Sequence, residues 1–127
     1  MKLLGVDYGL KRIGLAYSEG SLAQPMGKLT VNSVVEALEK VLRTARTYEA
    51  EKIIIGVPDP DSIGAREFGE KLVEVGNLEV EFIDETMTSI EAQERLKTHP
   101  QKKRKELLDS AAASLILSSY LNTLNRR

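Results

Sequence analysis

The sequence predicts an α/β domain in which helices flank a mixed β-sheet. Two strand-like segments, Leu3 to Tyr8 and Ile13 to Ser18, are joined by so short a connection that they form an antiparallel hairpin. Beyond them, strand and helix patterns alternate, and a helix between two strands of one sheet favours parallel pairing. The run Lys52 to Val57 is apolar after its first residue, which is typical of a central strand covered on both faces.

Two more strands complete the predicted sheet. One falls near Met26 to Val31, directly after the hairpin. The other spans residues 78–82, where leucine, valine and phenylalanine alternate with two glutamates. An alternation of this kind indicates a strand with one apolar and one wet face.

Four helices are expected between and after these strands. Ser33, with a glutamate three residues later, has the capping-box pattern and opens the first helix. The second follows a loop at residues 59–64 and starts near Ala65. A short polar helix covers residues 88–96, and the last helix runs from about residue 104 to residue 124. The order of elements is therefore β-β-β-α-β-α-β-α-α.

Composition sets limits on the class of protein. A chain of 127 residues, 42% hydrophobic and 29% charged, is expected to form one soluble domain over residues 1–127. No apolar run approaches the roughly 20 residues of a membrane span, and no signal-peptide pattern is present. Cysteine is absent, which excludes disulfides and thiolate metal sites. These features predict a cytoplasmic protein with no membrane partner.

Asp7 is the most informative residue of the first strand. It lies within an apolar segment, and burying a carboxylate costs several kcal/mol unless a cation pairs with it. Gly9 allows close approach of backbone or substrate, and the cations Lys11 and Arg12 follow. This combination suggests a site for a metal ion and a phosphate. The ordinary alternative is a strand-end aspartate that starts a turn.

Two further carboxylates are candidates for the same site. Glu85 follows a strand, at the end where ligands of open α/β sheets gather. Asp109 borders the apolar face of the last helix. If Asp7, Glu85 and Asp109 converge, hard divalent cations with oxygen ligands would relieve their repulsion. Taken singly, Asp109 could complement the helix dipole and Glu85 could be a solvated loop residue.

A basic run precedes Asp109. Between Lys97 and Lys105 there is no acidic residue, and the run includes His99. We expect a loop here that contacts phosphate backbone, although such runs are usually solvated. The cations of the run nearest to Asp109 are Lys102, Lys103, Arg104 and Lys105. The net charge of −1 does not itself indicate a nucleic-acid-binding protein.

The element order resembles the ribonuclease H-like fold, and four sequence blocks resemble the YqgF/RuvX family of nucleases with that fold. The blocks begin at Asp7 (DYGLKRIGLA), Ile55 (IGVP), Asp84 (DETMTS) and Asp109 (DSAAASLIL), and the resemblance extends to about Leu121. Members are described as Holliday-junction resolvase-like proteins and as nucleases that mature the 5′ end of 16S ribosomal RNA.

The resemblance implies a metal-dependent nuclease of structured RNA or branched DNA. Its catalytic and metal-binding acids fall on Asp7, Glu85 and Asp109, with one or two Mg²⁺ or Mn²⁺ ions as cofactor. Lys11 and Arg12 would contact the phosphate backbone, and the basic run would extend that contact. The interpretation allows a monomer or a homodimer.

The chain departs from the family pattern at two places. Thr86 stands where the family usually has an arginine after the glutamate, which puts one phosphate contact in doubt. The loop at residues 59–64 is more acidic than usual and could alter substrate preference. The strand predicted at residues 78–82 leaves open which acid is the partner of Asp7. Strict alternation groups Asp84 with the apolar residues of this strand, which would favour Asp84 over Glu85. The resemblance favours Glu85.

Two other classes of function remain open at this point. A non-catalytic nucleic-acid or ribosome-associated module would keep the fold and the basic run without needing all three acids. A phosphotransferase of the actin and sugar-kinase type also opens with an Asp-x-Gly hairpin, but it needs two such domains. The sequence does not distinguish RNA from DNA as substrate, because that choice depends on 2′-hydroxyl contacts or junction shape.

Overall fold

The computed structural model describes residues 1–84 and 101–125, with side chains described over residues 1–84 and 111–124. Within these residues, five strands form one sheet. The strands are β1 (Leu3–Asp7), β2 (Arg12–Ser18), β3 (Ala23–Thr30), β4 (Lys52–Val57) and β5 (Glu79–Asp84). The described helices are α1 (Val34–Thr47), α2 (Ala65–Gly76) and α3 (Gln101–Asn125).

The sheet is mixed, as the sequence predicts. The strand order is β3-β2-β1-β4-β5. β1 pairs antiparallel with β2, and β2 pairs antiparallel with β3. β4 runs parallel to β1, and β5 runs parallel to β4. The carboxyl ends of β1, β4 and β5 therefore meet at one edge, which we call the C-terminal edge of the sheet.

Two apolar layers cover the sheet. On one face, Leu4, Val6 and Ile55 pack with buried residues of α1 and α2. On the other, Leu3 and Ile54 pack with buried residues of α3. We call these the α1/α2 face and the α3 face. Because neighbouring residues of a strand point to opposite faces, membership of one cluster or the other fixes the face of every strand residue.

Local signals explain the first two helices. The Ser33 hydroxyl accepts a hydrogen bond from the Glu36 backbone N–H at 3.1 Å, so the predicted N-cap is confirmed. Glu36 also pairs with Lys40 at 2.9 Å, one turn along α1. α2 begins at Ala65, as predicted, and ends with Asn77 in the left-handed conformation common after helices.

Three details differ from the sequence prediction. Asp7 is the last residue of β1 and not an interior one. β3 begins at Ala23, because residues before Met26 still pair with β2 across a bulge. α3 begins at Gln101, so the loop predicted for the basic run is wrong from that residue on. Lysine, arginine and glutamine are good helix formers, and a run of positive charge did not prevent a helix. The predicted helix at residues 88–96 lies outside the described residues.

Candidate functional site

Asp7 lies at the C-terminal edge on the α3 face. It is half-buried and pairs in register with Gly14 of β2. Its neighbours in β1 establish the face, since Leu3 belongs to the α3 cluster and Val6 to the opposite one. The next residue, Tyr8, stacks on Phe68 of α2 with ring centroids 4.1 Å apart, again on the α1/α2 face. Burial, followed by the charge of Glu67, raises the pKa of Tyr8, so this phenol stays neutral at pH 7.

α3 touches β1 two residues before Asp7. A Cβ added to Gly5 would lie 2.9 Å from the Ala113 carbonyl oxygen and 3.0 Å from the Leu117 Cβ. Only glycine permits so close an approach of helix and strand. Asp109 precedes Ala113 by four residues in the same helix, which is about one turn and roughly 6 Å along the axis. Asp7 lies about 7 Å beyond Gly5 along β1.

The β1–β2 turn brings the predicted cations to the same edge. Gly9 is required in this turn, because a Cβ there would lie 2.5 Å from the Arg12 carbonyl oxygen. Lys11 and Arg12 are both exposed. The Lys11 carbonyl oxygen accepts a hydrogen bond from the Val31 backbone N–H at 2.9 Å, which fixes the end of the turn.

β5 answers the question of register at Asp84, and the argument from strict alternation was wrong. Val80 and Phe82 pack on the α1/α2 face, whereas Ile83 packs with the α3 cluster. Asp84 is in register with Val57, and it shares the face of Phe82 rather than that of Asp7. The error lay in assuming that the apolar series of this strand faces Asp7. Glu85 itself lies outside the described residues.

A cleft of ≈ 320 Å³ opens at the ends of β4 and β5, and its lining includes Asp59, Asp61 and Asp84. Among the lining residues that the structure describes, Arg66 is the only cation, and its guanidinium lies 4.8 Å from the centre of the Phe82 ring. Three carboxylates with one arginine do not suit a phosphate. We therefore keep Asp7, and not this cleft, as the centre of the candidate site.

Asp61 has a structural role that the sequence analysis missed. Its Oδ1 accepts hydrogen bonds from the backbone N–H groups of Gly64 (3.1 Å) and Ala65 (2.9 Å), and its Oδ2 accepts one from Arg66 (3.0 Å). These hydrogen bonds lower the pKa of Asp61, and the bond from the Arg66 backbone has the largest effect. The carboxylate thus satisfies the exposed amides at the start of α2. An aspartate shortly before a helical pattern was the available signal.

The donor chemistry of Asp7 suits a hard divalent cation, which prefers carboxylate oxygens. In the described part of the chain, no group of three or more histidine, aspartate or glutamate side chains forms a candidate metal site. The other predicted ligands, Glu85 and the side chain of Asp109, lie outside that part. So do the side chains of the four cations predicted to contact phosphate, Lys102, Lys103, Arg104 and Lys105, although their backbone belongs to α3.

Comparison with known proteins gives the family. The model described as "RuvX: Holliday junction resolvase" matches residues 1–123. The chain belongs to the RuvX family. The resemblance predicted from the four sequence blocks is thereby confirmed, and membership along nearly the whole chain argues against the phosphotransferase alternative.

Relatives of similar length support this membership. A protein of Caldanaerobacter subterraneus subsp. tengcongensis named "Putative pre-16S rRNA nuclease" is 36% identical, over 97% of this chain and 97% of its own. A protein of the same name from Heliobacterium modesticaldum is 33% identical, over 96% of this chain and 89% of its own.

Solved structures show the same fold at low identity. RuvC of T. thermophilus in complex with Holliday junction substrate matches with a TM-score of 0.62 at 17% identity, covering 97% of this chain and 96% of that one. The fowlpox virus Holliday junction resolvase matches with a TM-score of 0.64 at 19% identity, covering 98% and 99%. The predicted ribonuclease H-like architecture is confirmed. No described helix is long and apolar enough to cross a membrane.

Proposed function

We propose that this RuvX-family protein is a divalent-metal-dependent nuclease that processes the 5′ end of precursor 16S ribosomal RNA. The observation that carries the proposal is the position of Asp7. It is a half-buried carboxylate at the C-terminal edge, on the face that α3 crosses two residues away. The proposal includes a single nuclease domain over residues 1–127 and a cytoplasmic location.

Asp109 is the second proposed ligand, and α3 supports it. Residues four apart in a helix lie on the same side, so residue 109 shares the side of Ala113, which contacts β1 at Gly5. The same spacing continues back to Lys105. A carboxylate of α3 and a cation one turn before it would then both approach the C-terminal edge of the sheet.

Glu85 is the third proposed ligand, and the register of β5 now favours it. Ile83 packs with the α3 cluster and Asp84 follows on the other face, so one more step of the same alternation would bring a glutamate to the face of Asp7. The alternation seen in β5 and the family resemblance both support the choice of the glutamate. Asp84 would act only indirectly, through its neighbour.

Mg²⁺ or Mn²⁺ is the proposed cofactor, as one or two ions. When bound, such ions activate a water molecule and stabilise the leaving oxygen in phosphodiester cleavage. In this proposal the ions are held by Asp7 at the end of β1, by Asp109 of α3 and by Glu85, which follows β5 in the sequence. Lys11, Arg12 and the cations at residues 102–105 neutralise and position the phosphate backbone.

The choice of substrate rests on the curated relatives. Those at 33% and 36% identity carry the name of a nuclease of precursor 16S rRNA. A second candidate is branched DNA, because the family description names a Holliday junction resolvase and the structural neighbours include one bound to such a junction. A non-catalytic binding module is the third outcome that an experiment must distinguish.

One cleavage assay tests the proposal. Purified protein is incubated with precursor 16S rRNA carrying its 5′ extension, or with a synthetic four-way DNA junction, in Mg²⁺, Mn²⁺ or EDTA. We expect metal-dependent cleavage of the RNA, no cleavage in EDTA, and none by the Asp7→Asn protein. Cleavage of the junction alone would establish the resolvase instead. Binding without cleavage of either substrate would establish the non-catalytic module.

A further inference from the structure

Lys28 lies on the same row of the sheet as Asp7. Gly14 of β2 pairs with Asp7 on one side and with Lys28 of β3 on the other. Residues opposite one another on neighbouring strands point to the same face, so Lys28 shares the face of Asp7. The packing of Leu29 against the α1/α2 cluster confirms this, because its neighbour Lys28 must then face the other way. The β3 bulge lies beyond this row and does not disturb it.

Arg12 belongs to the same surface. It pairs with Thr30 of β3, two residues from Lys28, so the two cations are diagonal neighbours about 7–8 Å apart at their backbones. Both side chains are exposed. Neither forms an ion pair with any residue in the described part of the chain. Two exposed cations on one face of a paired hairpin, with no ion pair to a described residue, suit an anionic ligand.

We propose that Lys28, together with Arg12, binds the phosphate backbone of the substrate strand beside the cleaved bond. This inference rests on the proposed nuclease function and extends its substrate contacts to β3, where no sequence motif indicated them. Two strand spacings of about 4.8 Å separate Lys28 from Asp7, which gives roughly 10 Å. A nucleic-acid strand in a duplex advances about 3.4 Å per phosphate. Lys28 therefore contacts a phosphate within about three positions of the cleaved one.

The charge-neutral variant Lys28→Gln tests this contact. Binding is measured in the Asp7→Asn background, where the RNA is not cut, as a function of salt. We expect affinity to fall about fivefold and the slope of log K against log salt to fall by about 0.7–0.9. In the native background, KM should rise while kcat changes little, and Lys28→Arg should restore affinity. Unchanged urea unfolding excludes a structural cause.

Arg43→Gln is the matched control. Arg43 is an exposed cation of α1, on the opposite face of the sheet, so the same loss of charge there should leave affinity and salt slope nearly unchanged. Replacing single RNA phosphates by uncharged methylphosphonates locates the contact. Substitution within about three positions of the cleaved bond should weaken binding by the parent protein but not by Lys28→Gln.

The outcomes separate the two claims. If the parent protein cleaves RNA with metal, but Lys28→Gln binds as Arg43→Gln does, the proposed contact is wrong and the nuclease function stands. If the parent protein binds RNA but never cleaves it, the nuclease function is wrong, and the affinity of Lys28→Gln still decides the contact. Equal salt slopes for the two variants overturn the inference in either case.

Discussion

The two ends of the central strands differ in how their charges are matched. At the N-terminal end, Lys52 has a side chain only 13% exposed and lies 3.0 Å from Glu81 and 3.5 Å from Glu79. Its ammonium also donates a hydrogen bond to the Tyr120 hydroxyl at 3.0 Å, which ties α3 to β4. Lys2, at the same end, pairs with Glu49 at 3.5 Å.

At the C-terminal edge, cations and acids are arranged differently. Lys11, Arg12 and Lys28 are exposed and form no ion pair within the described residues, while the carboxylate of Asp7 is half-buried. The cations of the N-terminal end pair with glutamates of the same end, whereas the three exposed cations at the C-terminal edge remain accessible to a ligand. The first arrangement stabilises the sheet, and the second suits binding and catalysis.

The largest effect is expected at residue 85. Glu85→Gln should abolish cleavage, because the proposed function makes Glu85 a ligand of the cation together with Asp7. Asp84→Asn should lower cleavage by only about tenfold, because Asp84 lies on the other face and would act only through its neighbour. Both variants are compared over a range of Mn²⁺ concentrations. If Asp84→Asn loses more cleavage than Glu85→Gln, and added Mn²⁺ restores it, Asp84 and not Glu85 is the ligand.

Gly5→Ala should damage both stability and cleavage. The new methyl group would lie 2.9 Å from the Ala113 carbonyl oxygen, and a helix backbone cannot yield as a side-chain end can. We expect a loss of about 1–3 kcal/mol in the free energy of unfolding, measured by urea denaturation. Cleavage per folded molecule should also fall, because α3 carries Asp109. Full activity would mean that contact between α3 and β1 does not position the site.

Lys52→Met should lower the free energy of unfolding by about 1–2 kcal/mol, because three polar partners lose their cation. Hydrogen bonding to Tyr120, then to Glu81, raises the pKa of Lys52 above its ordinary 10.5. Its contribution is therefore complete below pH 10.5 and is lost only as pH rises further, through the folded-state pKa. The difference in the free energy of unfolding between the parent protein and Lys52→Met, measured in urea, should be the same from about pH 6 to pH 9. A difference that vanished at neutral pH would contradict the stabilising role of this end.

Asp61→Ala should cost about 1 kcal/mol, the usual loss when a helix start loses its cap. The pKa of Asp61 is lowered from 3.8 in the folded protein, so its contribution is full above that value and is lost as pH falls through the folded-state pKa. Thermal unfolding of the parent protein and of Asp61→Ala, at pH 7 and at about pH 3, measures how the stability difference between them changes with pH. Equal stability of the two proteins at pH 7 would contradict the capping role, and altered cleavage by a stable variant would place Asp61 at the substrate.

Local patterns in the sequence predicted much of the fold. The apolar run of β4 gave its bounds correctly, and Ser33 marked the start of α1. Asp7 stood out because an acid in an apolar segment is costly, whatever its neighbours. What could not be predicted depends on which residues face each other across strands. The face of Asp84 requires the packing of β5, and the position of Lys28 on the row of Asp7 requires the registers of β1 with β2 and of β2 with β3.

The most direct test of the contrast between the two ends measures cleavage and stability together in Asp7→Asn and Lys52→Met. Metal-dependent cleavage of precursor 16S rRNA is normalised to folded protein, and urea gives the free energy of unfolding. We predict that Asp7→Asn loses cleavage by orders of magnitude and keeps its stability, while Lys52→Met loses stability and keeps its cleavage. A well-folded Asp7→Asn protein that cleaves at nearly the normal rate would contradict the account.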